Sequence, residues 1–161
     1  MSRLHVVMGV AGCGKTTIGE KLAVAMNAAF LDGDAFHPAE NIAKMSRSEP
    51  LTDNDRWPWL ERFAHSIAEK PGTVVGGCSS LKRAYRQHIT QAAGEAVRFI
   101  YLEGSRDLIA SRMSARTCHF TPTSLLDSQF ETLEVPGRDE NAITVNIDRS
   151  EEEIVRAILA K

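Results

Sequence analysis

The chain has little cysteine. Its three residues, Cys13, Cys78 and Cys118, are odd in number, widely spaced and form no C-x-x-C pair, so neither a disulfide framework nor a zinc site is indicated, and a reducing, cytoplasmic setting fits. Long hydrophobic runs are missing too. The longest apolar stretch at the start, Leu4 to Val10, is too short to span a membrane and lacks the cleavage site of a signal peptide, so no membrane partner is expected. Nor is there a surplus of positive charge. With 19 Lys and Arg against 21 Asp and Glu, a net charge of −2 and a pI near 6.2, the chain has no basic footprint for nucleic acid. Repeats, low-complexity tracts and linkers are absent as well. What remains is 161 residues with 43% apolar and 25% charged content, which reads as one domain, 1–161, able to bury a core without staples.

Against this background one stretch stands out, LHVVMGVAGCGKTT from Leu4 to Thr17. It fits G-x-x-x-x-G-K-[ST], the phosphate-binding loop, with Gly9, Gly14, Lys15 and Thr16 in the fixed positions and Gly12 inside the turn. Glycines allow the positive φ angles that aim successive backbone N–H groups, here from Ala11, Gly12, Cys13 and Gly14 onward, at one anion. The following helix, predicted from Thr16 to Met26 and carrying Thr17 in its first turn, adds its positive end. Lys15 reaches the outer phosphates and the Thr16 hydroxyl suits a magnesium ion. Cys13 at a helix start is either an oxidisable thiol or simply a small residue.

Strand and helix patterns alternate through the rest of the chain. Strands are predicted at Leu4–Met8, Ala28–Leu31, Thr73–Cys78, Val97–Leu102 and Ala142–Ile147, each a short apolar run bounded by turn residues. Helices are predicted at Ala39–Met45, at about Arg56–Glu69 with Asp53 as N-cap, after a Ser79-Ser80 cap, from Arg106 to about Arg116, at Thr123–Leu133 and at Ser150–Ala160. This rhythm predicts an α/β fold, a parallel sheet between helices. Ligands of such sheets bind beyond the carboxyl ends of the strands, where Asp32-Gly33-Asp34 would also lie. Arg56, and the cluster Lys82, Arg83, Tyr85 and Arg86, put cations in first helical turns where the dipole favours anions, which points to an anionic ligand. Arg112 and Arg116 share a helical face. The segment 117–138 breaks the rhythm and reads as a helical lid inserted over the site.

Together these stretches resemble the gluconate kinases, small P-loop kinases that phosphorylate a sugar acid with ATP. The resemblance is carried by MGVAGCGKTT at 8–17, FLDGDAFHPAENIAKM at 30–45, PLTDNDRWPWL at 50–60, CSSLKRAYR at 78–86, FIYLEG at 99–104, SRMSAR with CHF at 111–120, and QFETLEVP at 129–136. It implies a P-loop kinase fold, ATP and magnesium, D-gluconate as acceptor, and a homodimer. It implies a substrate segment at about 34–65, with Asp34, His37, Arg56, Lys82, Tyr85, Arg86 and His119 at the sugar acid. Lys15, Arg112 and Arg116 would neutralise the phosphates. Asp34 would accept the hydroxyl proton and Thr16 with Asp32 would hold the metal, although the two aspartates could exchange roles. Other readings are another aldonic acid or shikimate as acceptor, or a nucleotide-switched binding protein without catalysis. Where the family has Arg-x-Gly-His-Phe, this chain has Cys118 in place of the glycine.

Overall fold

The computed structural model describes residues 2–114 and 123–161. Five strands, β1 (Leu4–Met8), β2 (Ala29–Asp32), β3 (Val74–Gly77), β4 (Val97–Glu103) and β5 (Ala142–Asn146), alternate with seven helices. These are α1 (Lys15–Met26), α2 (Ala39–Ser46), α3 (Asp53–Glu69), α4 (Arg83–Ala93), α5 (Arg106–Ser114), α6 (Thr123–Thr132) and α7 (Glu151–Leu159), and a 3-10 turn, Gly33–Phe36, follows β2. All strand pairs are parallel, in the order β2-β3-β1-β4-β5. Because β2, β3 and β1 are neighbours, the segments leaving their carboxyl ends emerge side by side. Those segments are the Asp32–Asp34 turn, the Cys78–Lys82 loop and the phosphate loop.

Side chains alternate across the sheet with period two and feed two cores. Val7, Val75, Ile100 and Leu102 meet Ile18 and Leu22 of α1, Ile109 of α5, Leu126 of α6 and Ile154 and Ile158 of α7. Val6, Met8, Val74, Phe99 and Tyr101 meet Leu60, Phe63 and Ile67 of α3 and Ile89 of α4 on the opposite face. The sheet is therefore sandwiched, as the alternating pattern predicts. At Gly76 an added Cβ would lie 2.6 Å from the Phe63 ring, which accounts for glycine in the middle of that strand.

Two helix caps differ from the sequence reading. Thr52, not Asp53, caps α3, because its hydroxyl accepts from the Asp55 N–H while the Asp55 carboxylate accepts from the Thr52 N–H, a reciprocal capping box. At α4 the Ser79-Ser80 pair does not cap; the helix starts after Lys82, and Ser80 is buried at a positive φ of 48°. In α7 the buried residues are Ile154, Val155 and Ile158, while Leu159 is half exposed.

His5 in β1 is buried and its Nδ1 has no hydrogen-bond partner among the described residues. Burial first, and then the Arg98 charge, lowers its pKa below the ordinary 6.5. The unfolded chain therefore binds more protons than the folded one just below pH 6.5, so the stability from neutral His5 is intact above that pH and declines as pH falls. His37, also shifted down, adds to the same trend. Thermal melting temperature is expected to hold from pH 8 to 6.5 and drop below it. His5→Val should flatten that acid decline, and an unchanged pH profile in that variant would count against the assignment.

Candidate active site

The phosphate loop joins β1 to α1. Gly12 and Gly14 adopt φ of 81° and 97°, a left-handed geometry that glycine adopts without a steric penalty. The turn is anchored laterally, since the Gly9 N–H donates to Ser79 O at 3.2 Å and Cys78 N–H to Val7 O at 3.1 Å. Lys15 Nζ lies over the first part of the loop, donating to Gly9 O and Val10 O at 3.1 Å each. Thr16 is exposed and Thr17 half-buried in the first turn of α1. Cys13 is buried at 3% exposure and packs within the core cluster.

Asp32 ends β2 and caps the 3-10 turn, its Oδ1 accepting from the Asp34 N–H at 3.0 Å. This separates the two aspartates. Asp32 spends one oxygen on the backbone, whereas Asp34 is exposed. Cys78, buried between them and the loop, senses both Asp34 and Lys15, and burial foremost pushes its thiol up to about 11. The acidic turn and the phosphate loop thus both pack against the Cys78–Ser79 segment, Gly33 against Cys78 and Gly9 on the Ser79 carbonyl.

On the other side of Asp34 a polar wall continues through α3 and α4. The His37 ring stacks on Trp59 at 4.1 Å between centroids, and Trp59 Nε1–H donates to Gly33 O at 2.8 Å. Buried Asn41 gives its amide to Asp55 O at 2.9 Å and lies 3.2 Å from His37 Nδ1. Burial lowers the pKa of His37, with Asp34 raising it and Arg56 lowering it. A neutral ring that accepts at Nδ1 carries its proton on Nε2, available as a donor. Arg56 and Lys82 both lie over the Tyr85 ring, at 5.3 and 5.7 Å. Tyr85 Oη donates to Asp53 Oδ1 at 2.5 Å, and burial together with that bond pushes the phenol up to about 12. Arg56, Tyr85 and Lys82 are therefore contiguous, and the charges of Asp34 and Arg56 both act on the His37 ring. Arg56 also pairs with Asp53 at 3.1 Å, so its place in a first helical turn has a local explanation in a protein carboxylate.

Arg86 is a correction. The sequence reading places it at the ligand, but it is 2% exposed and fully engaged, bonding Glu140 at 2.7 and 3.1 Å and the carbonyls of Ser80, Leu81 and Glu134. It holds the loop in front of α4 rather than a substrate. The described part of the expected helical insertion, from residue 123 on, packs on the body of the domain. Leu126 is fully buried, Asp127 pairs with Arg106, and the Glu134 N–H donates to Leu81 O at 2.7 Å. Arg116, Cys118 and His119 lie outside the described residues. Arg112 lines a cleft of about 260 Å³ behind the loop with Gly12, Cys13, Gly14, Arg149 and Ser150. A larger depression of about 390 Å³, lined by Leu31, Phe36, Ser66, Glu69 and Lys70, contains none of these groups.

Four contributors escaped the sequence reading: Asn41, Asp53 as the partner of Tyr85, Arg149, and Gln129, whose Oε1 accepts from the Ala11 N–H at 2.6 Å. Asn41 and Gln129 lie within stretches already quoted for the family resemblance, but neither has a chemistry legible from spacing alone.

The shikimate kinase family model matches residues 11–161. The thermosensitive gluconokinase of Escherichia coli (strain K12) is 49% identical over 146 residues, covering 89% of this chain and 77% of that one. The thermoresistant gluconokinase of the same strain is 43% identical, covering 97% and 91%. A crystal structure of a gluconokinase from Sinorhizobium meliloti 1021 superposes with a TM-score of 0.90 at 46% identity, covering 98% and 89%. A shikimate kinase from Bacteroides thetaiotaomicron has a TM-score of 0.68 at 18% identity and shares the fold. With the phosphate loop and the polar wall at the carboxyl edge of one parallel sheet, the chain belongs to the gluconokinase family of shikimate-kinase-like P-loop kinases.

Proposed function

We propose that this kinase transfers the γ-phosphoryl group of ATP to the 6-hydroxyl of D-gluconate, giving 6-phospho-D-gluconate. The observation that carries the reading is the packing of the phosphate loop and the Asp32–Asp34 turn against one segment, Cys78–Ser79, beside the group of Arg56, Tyr85 and Lys82. An anion with many hydroxyls needs cations for its carboxylate and mixed donors and acceptors for the rest, and that group offers both.

Phosphoryl transfer depends on positioning and charge neutralisation. The N–H groups from Gly12 to Thr16 hold phosphate oxygens, and Lys15 leaves the Gly9 and Val10 carbonyls to meet the outer ones. Asp34 orients the attacking hydroxyl and takes its proton as the new bond forms. Arg112, with Arg116, offsets charge on the transferred group. Magnesium is held by one or two protein groups together with substrate phosphates and water. Thr16 and the second oxygen of Asp32 would hold it, and it would supply charge neutralisation at the phosphates.

ATP-dependent ADP release should be strong with D-gluconate and weak with other aldonic acids and shikimate, using Lys15→Ala as the blank. Equal turnover on another acid would move the specificity argument to His37, Arg56 and Lys82. ATP binding without turnover on any acid would favour a nucleotide-switched binding protein.

A further inference from the structure

Gln129 reaches the phosphate loop from a distance of 118 residues in sequence. Its helix, α6, is not a loose cover. Leu126, one turn earlier, is fully buried in the core, Phe130 and Leu133 pack against the same cluster, and Asp127 is ion-paired to Arg106 of α5. The side-chain oxygen of Gln129 therefore sits on the Ala11 N–H from a rigid base, at 2.6 Å. Ala11 is at the outer end of the nest. Lys15, the side chain that serves the outermost phosphates, has its Nζ on the carbonyls of the two preceding residues, Gly9 and Val10. A carboxamide with its oxygen committed still has two N–H donors. The amide therefore keeps donors that it can offer to a phosphate held in the loop.

We propose that Gln129 is a γ-phosphate-positioning residue, fixing the outer end of the phosphate loop from α6 and offering its amide N–H groups to the phosphoryl group about to be transferred. This rests on the assignment of the loop to ATP. The α6 contact then has a functional consequence: a nucleotide with a γ-phosphate engages the seated helix, whereas ADP does not reach it. Gln129 would accordingly discriminate ATP from ADP, and the sugar-acid wall would be indifferent to its replacement.

Two variants separate this from packing. Gln129→Glu keeps an acceptor for the Ala11 N–H but replaces the donors with a negative charge, and Gln129→Ala removes both. Affinities for ATP and ADP, kcat, KM for gluconate and melting temperature would be measured for each. Loss of a hydrogen bond to a charged group predicts a fall in kcat and in ATP affinity of roughly tenfold or more for Gln129→Ala, and a larger one for Gln129→Glu. ADP affinity and KM for gluconate should stay near wild type in both. An unchanged ratio of ATP to ADP affinity, or a lower melting temperature and kcat in Gln129→Ala that Gln129→Glu restores, would overturn the proposal. Failure of the wild type to bind either nucleotide would instead overturn the reading of the loop itself.

Discussion

Asp34→Asn is expected to lower kcat at least a hundredfold while leaving ATP affinity and melting temperature near wild type. Proton acceptance by a positioned carboxylate contributes roughly 10²–10⁴ in rate, and the amide keeps the shape of the side chain while losing its basicity. Stability should be spared because Asp34 is exposed and contributes only its backbone N–H to the 3-10 turn. The comparison with Asp32→Asn is the informative one. Asp32 accepts that N–H and so shapes the turn, and its remaining oxygen is the one suited to a magnesium-bound water. Asp32→Asn should therefore raise the magnesium concentration needed for half-maximal activity. Asp34→Asn should leave the magnesium requirement unchanged. Steady-state kinetics at varied magnesium decide the matter: a near-normal kcat in Asp34→Asn, with the large loss in Asp32→Asn, would exchange the two roles.

The sequence makes legible the parts of this fold whose causes are local. The G-x-x-x-x-G-K-[ST] loop specifies its own backbone through Gly12 and Gly14, and the apolar runs of β1 and β4 specify burial on both faces. Contacts between distant segments are less legible. Thr52 caps α3 through Asp55, a local pattern that spacing could have disclosed. By contrast, nothing near Gln129 in sequence indicates that its amide meets Ala11. The same is true of Asp53, whose partner Tyr85 is 32 residues away. The cationic cluster at the start of α4 shows the limit most directly. A first-turn Arg or Lys opposes the helix dipole, and that rule says an anion is near without saying whose. Lys82 is half-buried over Tyr85 and its charge helps to lower the pKa of Asp53. For Arg86 the anion is the protein's own Glu140.

That difference gives Arg86 the largest expected effect on stability. Its guanidinium and the Glu140 carboxylate are 2% and 11% exposed and meet at 2.7 Å, and the pair ties α4 to the 134–140 segment beside β5. Each partner is satisfied beyond the ion pair, Arg86 by three backbone carbonyls and Glu140 by the Gly137 N–H at 2.9 Å. The Arg86 bond chiefly holds the Glu140 carboxyl below its usual pKa. Removing one member of such a buried pair leaves the other charge uncompensated and costs about 3–5 kcal/mol. In a domain of this size that corresponds to a fall of roughly 6–20 °C in melting temperature. Arg86→Met is expected to show that loss, with a smaller one in Glu140→Gln, because the amide still accepts from Arg86 and Gly137. The kinetic signature is the discriminating part. If Arg86 braces the Ser80–Leu81 carbonyls, material still folded at low temperature should show a moderate rise in KM for the sugar acid through displaced Lys82 and little change in ATP affinity. A melting temperature within a degree of wild type, with a large loss of gluconate binding, would return Arg86 to the substrate site.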